Sequence, residues 1–267
     1  MSTSTPPSSL IQPPFRIHSR TDVGKRRKRN EDSLGAIARH GIFIVADGMG
    51  GVDGGDYSSR KVVEMMTAAF ERISPHDLSY DEKLDLIEAT LNAASTKIKC
   101  EADLRGIQGM GTTAVVLCFD VPDCQQACIL HVGDSRVYRY RNHDLNALTV
   151  DHSMAAESGL SDSALVPVFM AGVITRAVGV RADVEVDRTP VDVRRGDLFV
   201  LCSDGLYNMV RRPQFCSILQ HKPLDPAAEL VNAANDAGGF DNITVVLVEL
   251  LTGSEGTRPS QLADTTV

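Results

Sequence analysis

Residues 112–140 read TTAVVLCFDVPDCQQACILHVGDSRVYRY. Three β-rich runs lie within this stretch, 112–119, 126–132 and 135–140, each of strand length. Val121-Pro122-Asp123 separates the first two and Gly133-Asp134 the second two, both turn signals. Upstream, two helical patterns follow one another. Over 58–73, Val62, Met65, Met66, Ala69, Phe70 and Ile73 recur at helical spacing. Over 81–102, Leu84, Ile87, Leu91, Ala94 and Ile98 form a long one-sided stripe. Each is read as a cover for a sheet, with the Met pair as core filler. Two helices followed by a block of strands predict α+β layering rather than alternating βαβ units.

Further outward, 34–39 and 41–46 read as two short strands hinged near His40-Gly41. Strands resume at 197–202 and 243–250. Between them, 226–237 reads as a helix with proline near its start and Gly238-Gly239 ending it. Residues 151–172 break the regularity and predict a short helix and a loop. The segments 1–14 and 252–267 are rich in Ser, Thr, Pro and Gly and lack apolar periodicity, so both are expected to be disordered tails. They flank a single body at 15–251, large enough to bury a sizeable core.

The chain has 267 residues, 43% hydrophobic and 23% charged, which excludes wholesale disorder. Its net charge of −8 disfavours a general nucleic-acid surface. No apolar run nears the roughly 18 residues that span a bilayer, and no secretory leader is evident. The six cysteines show neither a CxxC pair nor zinc spacing. A reduced, cytoplasmic, monomeric protein with no membrane and no nucleic-acid partner is the expectation.

Acidic residues recur where apolar runs end, next to glycine or another small residue. Asn30-Glu31-Asp32 precedes a strand, Asp47 opens Asp47-Gly48-Met49-Gly50-Gly51, and Asp134 lies in Gly133-Asp134-Ser135-Arg136. Asp204 lies in Ser203-Asp204-Gly205, and Asp241-Asn242 precedes the last strand. Any one such pair is accounted for as a turn. Five of them beside strands make independent turn use a poorer account. Carboxylates brought together repel one another unless cations neutralise them, and oxygen-only ligation points to Mg²⁺ or Mn²⁺.

The segments TDVGKRRKRNED (21–32), VADGMGG (45–51), GMGTTAV (109–115) and HVGDSRVY (131–138) occur in that order. TVDHS (149–153), ITRAVG (174–179), LCSDGLYNMV (201–210) and FDNITVV (240–246) continue the series. Together they resemble the metal-dependent protein phosphatases of type 2C, the bacterial branch in particular. The resemblance covers essentially all but the tails. It implies a four-layer α-β-β-α sandwich with two Mn²⁺ or Mg²⁺ ions in a cleft between the sheets. It also implies hydrolysis of phosphoserine and phosphothreonine in proteins by water activated between those ions, without a covalent phosphoenzyme. Phosphorylated proteins would be the substrates and a bacterial serine/threonine kinase the enzyme reversed.

Residue by residue, the resemblance implies that Asp47 bridges both ions and the Gly48 carbonyl is a further ligand. Asp204 and Asp241 would complete one ion, and Glu31 would reach the other. Asp32 would orient that shell by hydrogen bonding. Arg27 takes the family's phosphate-binding position, where a guanidinium can hold two phosphate oxygens. The run Lys25-Arg26-Arg27-Lys28-Arg29 has two other readings, a solvated basic strip or an RNA-binding patch. Cysteine-based phosphatase chemistry is excluded, since no cysteine has an arginine six residues on. Neither His131 nor His152 is assigned a catalytic role.

Two positions depart from the family pattern. Met49 stands where animal members place a histidine as leaving-group acid, which leaves water as the donor. Asn208 stands where the family usually has an acid that helps Asp134 hold a third divalent ion. An amide oxygen ligates without charge, so a weaker third site is expected. A regulatory module that binds phosphoprotein without efficient turnover is the alternative that Asn208 keeps open. The 151–174 region matches the family's flap, where substrate preference is expected to be written.

Overall fold

The structure is a computed structural model that describes residues 14–51, 54–159, 167, 170 and 172–251. The expected tails therefore lie outside the described residues, apart from Pro14, as does the centre of the flap.

Two antiparallel sheets pack face to face. The first contains β1 (Phe15–Asp22), β7 (Arg136–Arg141), β8 (Asp144–Ala147), β10 (Leu198–Cys202) and β11 (Ile243–Leu250). Its order is β1-β11-β10-β7-β8. The second contains β2 (Asp32–Ile37), β3 (Ile42–Met49), β5 (Ala114–Phe119), β6 (Gln126–Val132) and β9 (Asp187–Asp192), ordered β2-β3-β5-β6-β9. The two-residue β4 (Gly111–Thr112) extends it beside the end of β3. Helices α1 (Gly55–Phe70) and α2 (Tyr80–Arg105) cover the second sheet. Three more, α4 (Asp204–Tyr207), α5 (Arg212–Gln220) and α6 (Pro226–Asp236), cover the first. The short α3 (Met154–Glu157) belongs to the flap.

Alternation along each central strand produces the four layers. Phe43, Val45, Val115, Leu117, Phe199, Leu201, Val246 and Val248 point between the sheets. Their neighbours Ile42, Ile44, Val116 and Cys118 face α1 and α2. Val200, Cys202, Val245 and Leu247 face α5 and α6. A strand covered on both faces gains from apolar residues at every position, which is why these segments read as unbroken runs. The inner layer is locked by aromatic edges. Phe119 stands edge-on to Phe43 at 6.1 Å and to Phe199 at 5.4 Å.

Helix ends follow local chemistry. Ser79 and Glu82 form a reciprocal capping box at the start of α2, and Gly106 closes it with φ 68. Asp225 caps α6, with Pro226 in its first turn. Three expectations are corrected in detail. The strand predicted at 34–39 starts at Asp32 and gives way to a 3-10 turn, Ala38–His40, that hands over to Gly41 at φ 71. The helix predicted at 58–73 begins at Gly55 and ends at Phe70. The α2 stripe extends to Arg105.

Candidate metal and phosphate site

The ends of β2, β3, β10 and β11 nearest this site carry the acids. Asp47 lies near the end of β3, and its backbone is fixed on both sides. Its N–H donates to Thr113 Oγ1 at 2.9 Å, and its carbonyl accepts from Thr113 N at 2.8 Å and Thr112 Oγ1 at 2.9 Å. Gly48 then passes so close to other backbone that a Cβ would come within 2.2 Å of Gly55 O and 2.4 Å of Glu31 O. Its N–H donates to Glu31 O at 3.1 Å, which ties Glu31 to the Asp47 turn. Asp204 is the first residue of α4, immediately after Ser203 leaves β10. Asp241 ends the turn before β11 and accepts from Asn242 N at 2.8 Å.

These elements enclose a cleft of about 550 Å³ lined by Glu31, Asp47, Gly48, Asp134, Asp204 and Asp241. Arg27, Lys28 and Arg29 also line it, as does Met49. The sandwich thus gathers in one place all but two of the residues to which the resemblance gives a part in holding metal or phosphate. The exceptions are Asp32, which lies behind the cleft, and Asn208. Asp32 is 8% exposed, accepts from Ser203 Oγ at 2.7 Å through Oδ2, and has no hydrogen-bond partner for Oδ1 among the described residues. Asn208 is exposed and donates its side-chain amide to Asp204 Oδ2 at 3.2 Å.

Gathering acids without neutralising them raises their pKa values. Burial, with Asp204 and Asp241 adding repulsion, pushes Asp32 up to about 7. Burial raises Asp47 well above the carboxylate range, with Asp32, Asp204 and Asp134 contributing. Asp134 is pushed up to about 7 by burial and then by Asp204, and Asp204 to about 6 by burial and then by Asp241. Glu31 is raised too, mainly by burial, while Arg27 pulls it back. Five acids raised together call for a cation.

The candidate ligands are carboxylates and a backbone carbonyl, with no cysteine or histidine among the lining residues, which fits Mn²⁺ or Mg²⁺. The unpartnered Asp32 oxygen fits a group that orients such a shell. Among the described residues, no three His, Cys, Asp or Glu side chains are already closed around one point. Asp241 is held aside by Arg27, whose Nη2 donates to Asp241 Oδ2 at 2.8 Å. That hydrogen bond raises the Arg27 guanidinium still further, so the group stays charged.

Several positioning residues inside the quoted motifs were not singled out by sequence reading. Tyr207 donates its hydroxyl to the Asp134 carbonyl at 3.0 Å, and the Arg136 guanidinium lies 3.7 Å from its ring centre. Arg136 in turn holds both Asp151 oxygens, at 2.8 and 2.7 Å, at the base of the flap. His152 Nδ1 accepts from Gly133 N at 3.1 Å, and its ring lies 4.6 Å from that of His131. Burial pulls His131 down to about 4, which keeps it neutral, and neither histidine lines the cleft. Burial pushes the thiols of Cys118, Cys124 and Cys202 up to about 12, the reverse of what a thiolate nucleophile needs.

An oxygen-donor cleft between two antiparallel sheets, with an arginine in its lining, is suited to holding divalent cations beside a phosphate group. A family profile described as protein phosphatase 2C matches residues 24–238. The serine/threonine phosphatase stp of Listeria monocytogenes is 36% identical over 240 residues, covering 86% of this chain and 94% of that protein. PppA, titled a key regulatory component of T6SS in Pseudomonas aeruginosa, superposes with a TM-score of 0.76 at 35% identity, covering 88% and 97% of the two chains. The catalytic domain of the serine/threonine phosphatase PstP, solved with two manganese ions, gives a TM-score of 0.75 at 30% identity over 89% and 99%. The chain belongs to the protein phosphatase 2C family, in its bacterial branch.

Proposed function

We propose that residues 15–251 form a single catalytic domain that hydrolyses phosphoserine and phosphothreonine in proteins, reversing a serine/threonine kinase. The observation that carries the reading is the convergence of Arg27, Glu31, Asp47, Gly48, Asp204 and Asp241 on one cleft. When bound there, two Mn²⁺ or Mg²⁺ ions supply the Lewis acidity that activates water for in-line attack on phosphorus.

The chain's own residues would divide the remaining work. Glu31, Asp47, Asp204 and Asp241 would hold the ions through carboxylate oxygens, and Gly48 through its carbonyl. Asp32, fixed by Ser203, would hold the shell in orientation. Arg27 would bind the phosphoryl oxygens and place phosphorus before the activated water. Met49 lines the cleft but carries no proton, so the leaving oxygen takes its proton from water. Asp134 would contribute to a third, weaker divalent site, to which Asn208 could add only an uncharged amide oxygen. No described helix is long and apolar enough to cross a membrane. A monomer acting in the reducing cytoplasm completes the proposal, in keeping with the free cysteines.

The test is hydrolysis of a phosphothreonine peptide after chelation and again with Mn²⁺ restored, alongside Asp204→Ala. Turnover that returns with metal and is lost in the variant is expected. Turnover indifferent to chelation, or surviving in Asp204→Ala, would overturn the two-metal reading.

A further inference from the structure

The basic run 25–29 is built into the fold rather than left as a loose solvated strip. Asn242 brackets it, donating from Nδ2 to Val23 O at 2.9 Å and to Arg29 O at 2.8 Å. Its Oδ1 accepts from Glu31 N at 2.8 Å. Lys25 and Arg26 both donate their backbone N–H to Gly239 O, at 2.8 and 3.2 Å. Gly24, at φ 76, lies so close to the turn before β11 that a Cβ would come within 2.2 Å of Asp241 O. Five backbone contacts and a close approach therefore fix the loop on the same turn that presents Asp241.

Within that fixed loop the cations have different employment. Lys25 pairs with Asp236 at 3.6 Å, Arg26 lies 5.6 Å from the centre of the Phe240 ring, and Arg27 pairs with Asp241. Lys28 is exposed, lines the cleft next to Arg27, and has no ion pair or hydrogen bond among the described residues. A chain with net charge −8 thus keeps an uncommitted ammonium at the mouth of its phosphate site. Adjacent Cα atoms are about 3.8 Å apart, and an extended peptide advances about 3.3–3.6 Å per residue. A free ammonium one residue from Arg27 can therefore reach an anion one or two residues from the phosphorylated position on an extended substrate.

We infer that Lys28 is a specificity residue that selects substrates carrying a second anionic group, carboxylate or phosphoryl, next to the phosphorylated serine or threonine. The inference rests on the phosphatase reading and names its substrate class. A nucleic acid fits the strip less well. Five carboxylates (Glu31, Asp47, Asp134, Asp204 and Asp241) line the same cleft and oppose a continuous polyphosphate. The adjacent aromatic, Phe240, already has Arg26 over its ring.

The experiment uses the full chain loaded with Mn²⁺ and four phosphothreonine peptides. They differ only in the neighbouring residue, which is Glu, a second phosphothreonine, Gln or Lys. p-Nitrophenyl phosphate serves as a substrate without flanks. The wild type is expected to prefer the Glu or doubly phosphorylated peptide over the Lys peptide by about tenfold in kcat/KM, a difference that shrinks with salt. Lys28→Glu should erase that preference through KM, with kcat and p-nitrophenyl phosphate turnover unchanged, and Lys28→Arg should retain it. Preference for both anionic peptides assigns a carboxylate or phosphate as the second anion; preference for the doubly phosphorylated one alone assigns phosphate. Equal turnover of all four peptides overturns the inference, as does a preference that survives Lys28→Glu. So does salt-dependent binding of single-stranded RNA that Lys28→Glu abolishes while peptide preference is untouched. If the wild type fails to hydrolyse even p-nitrophenyl phosphate, the phosphatase reading fails instead. Binding of the same peptides, measured by fluorescence anisotropy, then decides the role of Lys28 alone.

Discussion

Asp32 and Asp47 are directly opposite each other in the antiparallel ladder between β2 and β3. Like charges at opposed positions destabilise a sheet, and both carboxyls are withdrawn from water. Folding alone gives no reason for such a pair. A cation between the strand ends does.

Metal-free protein should therefore lose stability as pH rises. Asp32 titrates near 7 in the fold against 3.8 ordinarily, so its contribution is fully present below about 3.8 and is lost as pH rises through about 7. Asp134 and Asp204, raised to about 7 and about 6, act in the same direction. Thermal unfolding with chelator should give a lower Tm at about pH 8 than at about pH 5, with Mn²⁺ reversing the trend. Asp32→Asn keeps an acceptor for Ser203 and should stabilise the metal-free protein at about pH 8 by roughly 1–2 kcal/mol, while lowering kcat about 100-fold. A flat Tm profile across that range would refute the account.

Asn208 offers a gain-of-function test. Its amide donates to Asp204 Oδ2, so it satisfies a carboxylate proposed to hold metal instead of adding a charge. Asn208→Asp should cost the metal-free protein about 0.5–1 kcal/mol through repulsion with Asp204. In return, calorimetry should find the weakest Mn²⁺ site tightened about tenfold, and kcat at saturating Mn²⁺ should rise. An unchanged weak site would remove position 208 from any third-ion scheme.

The central strands and the covering helices were legible because burial on both sides leaves unbroken apolar runs and burial on one side leaves a helical stripe. The missed elements are those whose apolar content is low. β1 (FRIHSRTD) is an edge strand held by its ladder to β11, and only Phe15 along it is fully buried. β9 (DRTPVD) is another edge, with Val191 alone buried, and β8 (DLNA) buries only Leu145. α5 (RPQFCSILQ) is short and anchors through Phe215 and Leu219. At the site, the acids were visible as carboxylates at strand ends next to small residues. The hydrogen bonds that aim them were not. Asn242 reaches Glu31 across 211 residues and Ser203 reaches Asp32 across 171, and periodicity carries no information on such pairings.

Asn242→Ala tests one of those invisible contacts. The residue is 5% exposed, and its side chain makes three hydrogen bonds to backbone, at Val23, Arg29 and Glu31. Removing it takes away the partners of three partly buried backbone groups, at an expected cost of about 1–3 kcal/mol in urea unfolding. Because the same bonds fix the loop that carries Arg27, KM for a phosphopeptide should rise about tenfold even in conditions where the variant is fully folded. A stability loss with unchanged KM would show that the loop holds its place without the bracket.

Arg27 couples the two halves of the proposed site, since the group that would hold phosphate is now paired with a carboxylate that would hold metal. Its removal should therefore move two measurements in opposite directions. Arg27→Ala frees Asp241 and takes a positive charge out of the cleft, so Mn²⁺ affinity by calorimetry should rise a few-fold. The same change removes the phosphate fork, so kcat/KM should fall about 100-fold. Arg27→Lys separates charge from geometry. It should restore metal affinity towards the wild-type value because the cation returns, yet recover little of kcat/KM because an ammonium cannot hold two oxygens in a planar fork. If Arg27→Ala weakened metal binding as well as turnover, the Arg27–Asp241 pair would be supporting the metal site rather than competing with it, and the division of labour proposed for the two residues would be wrong.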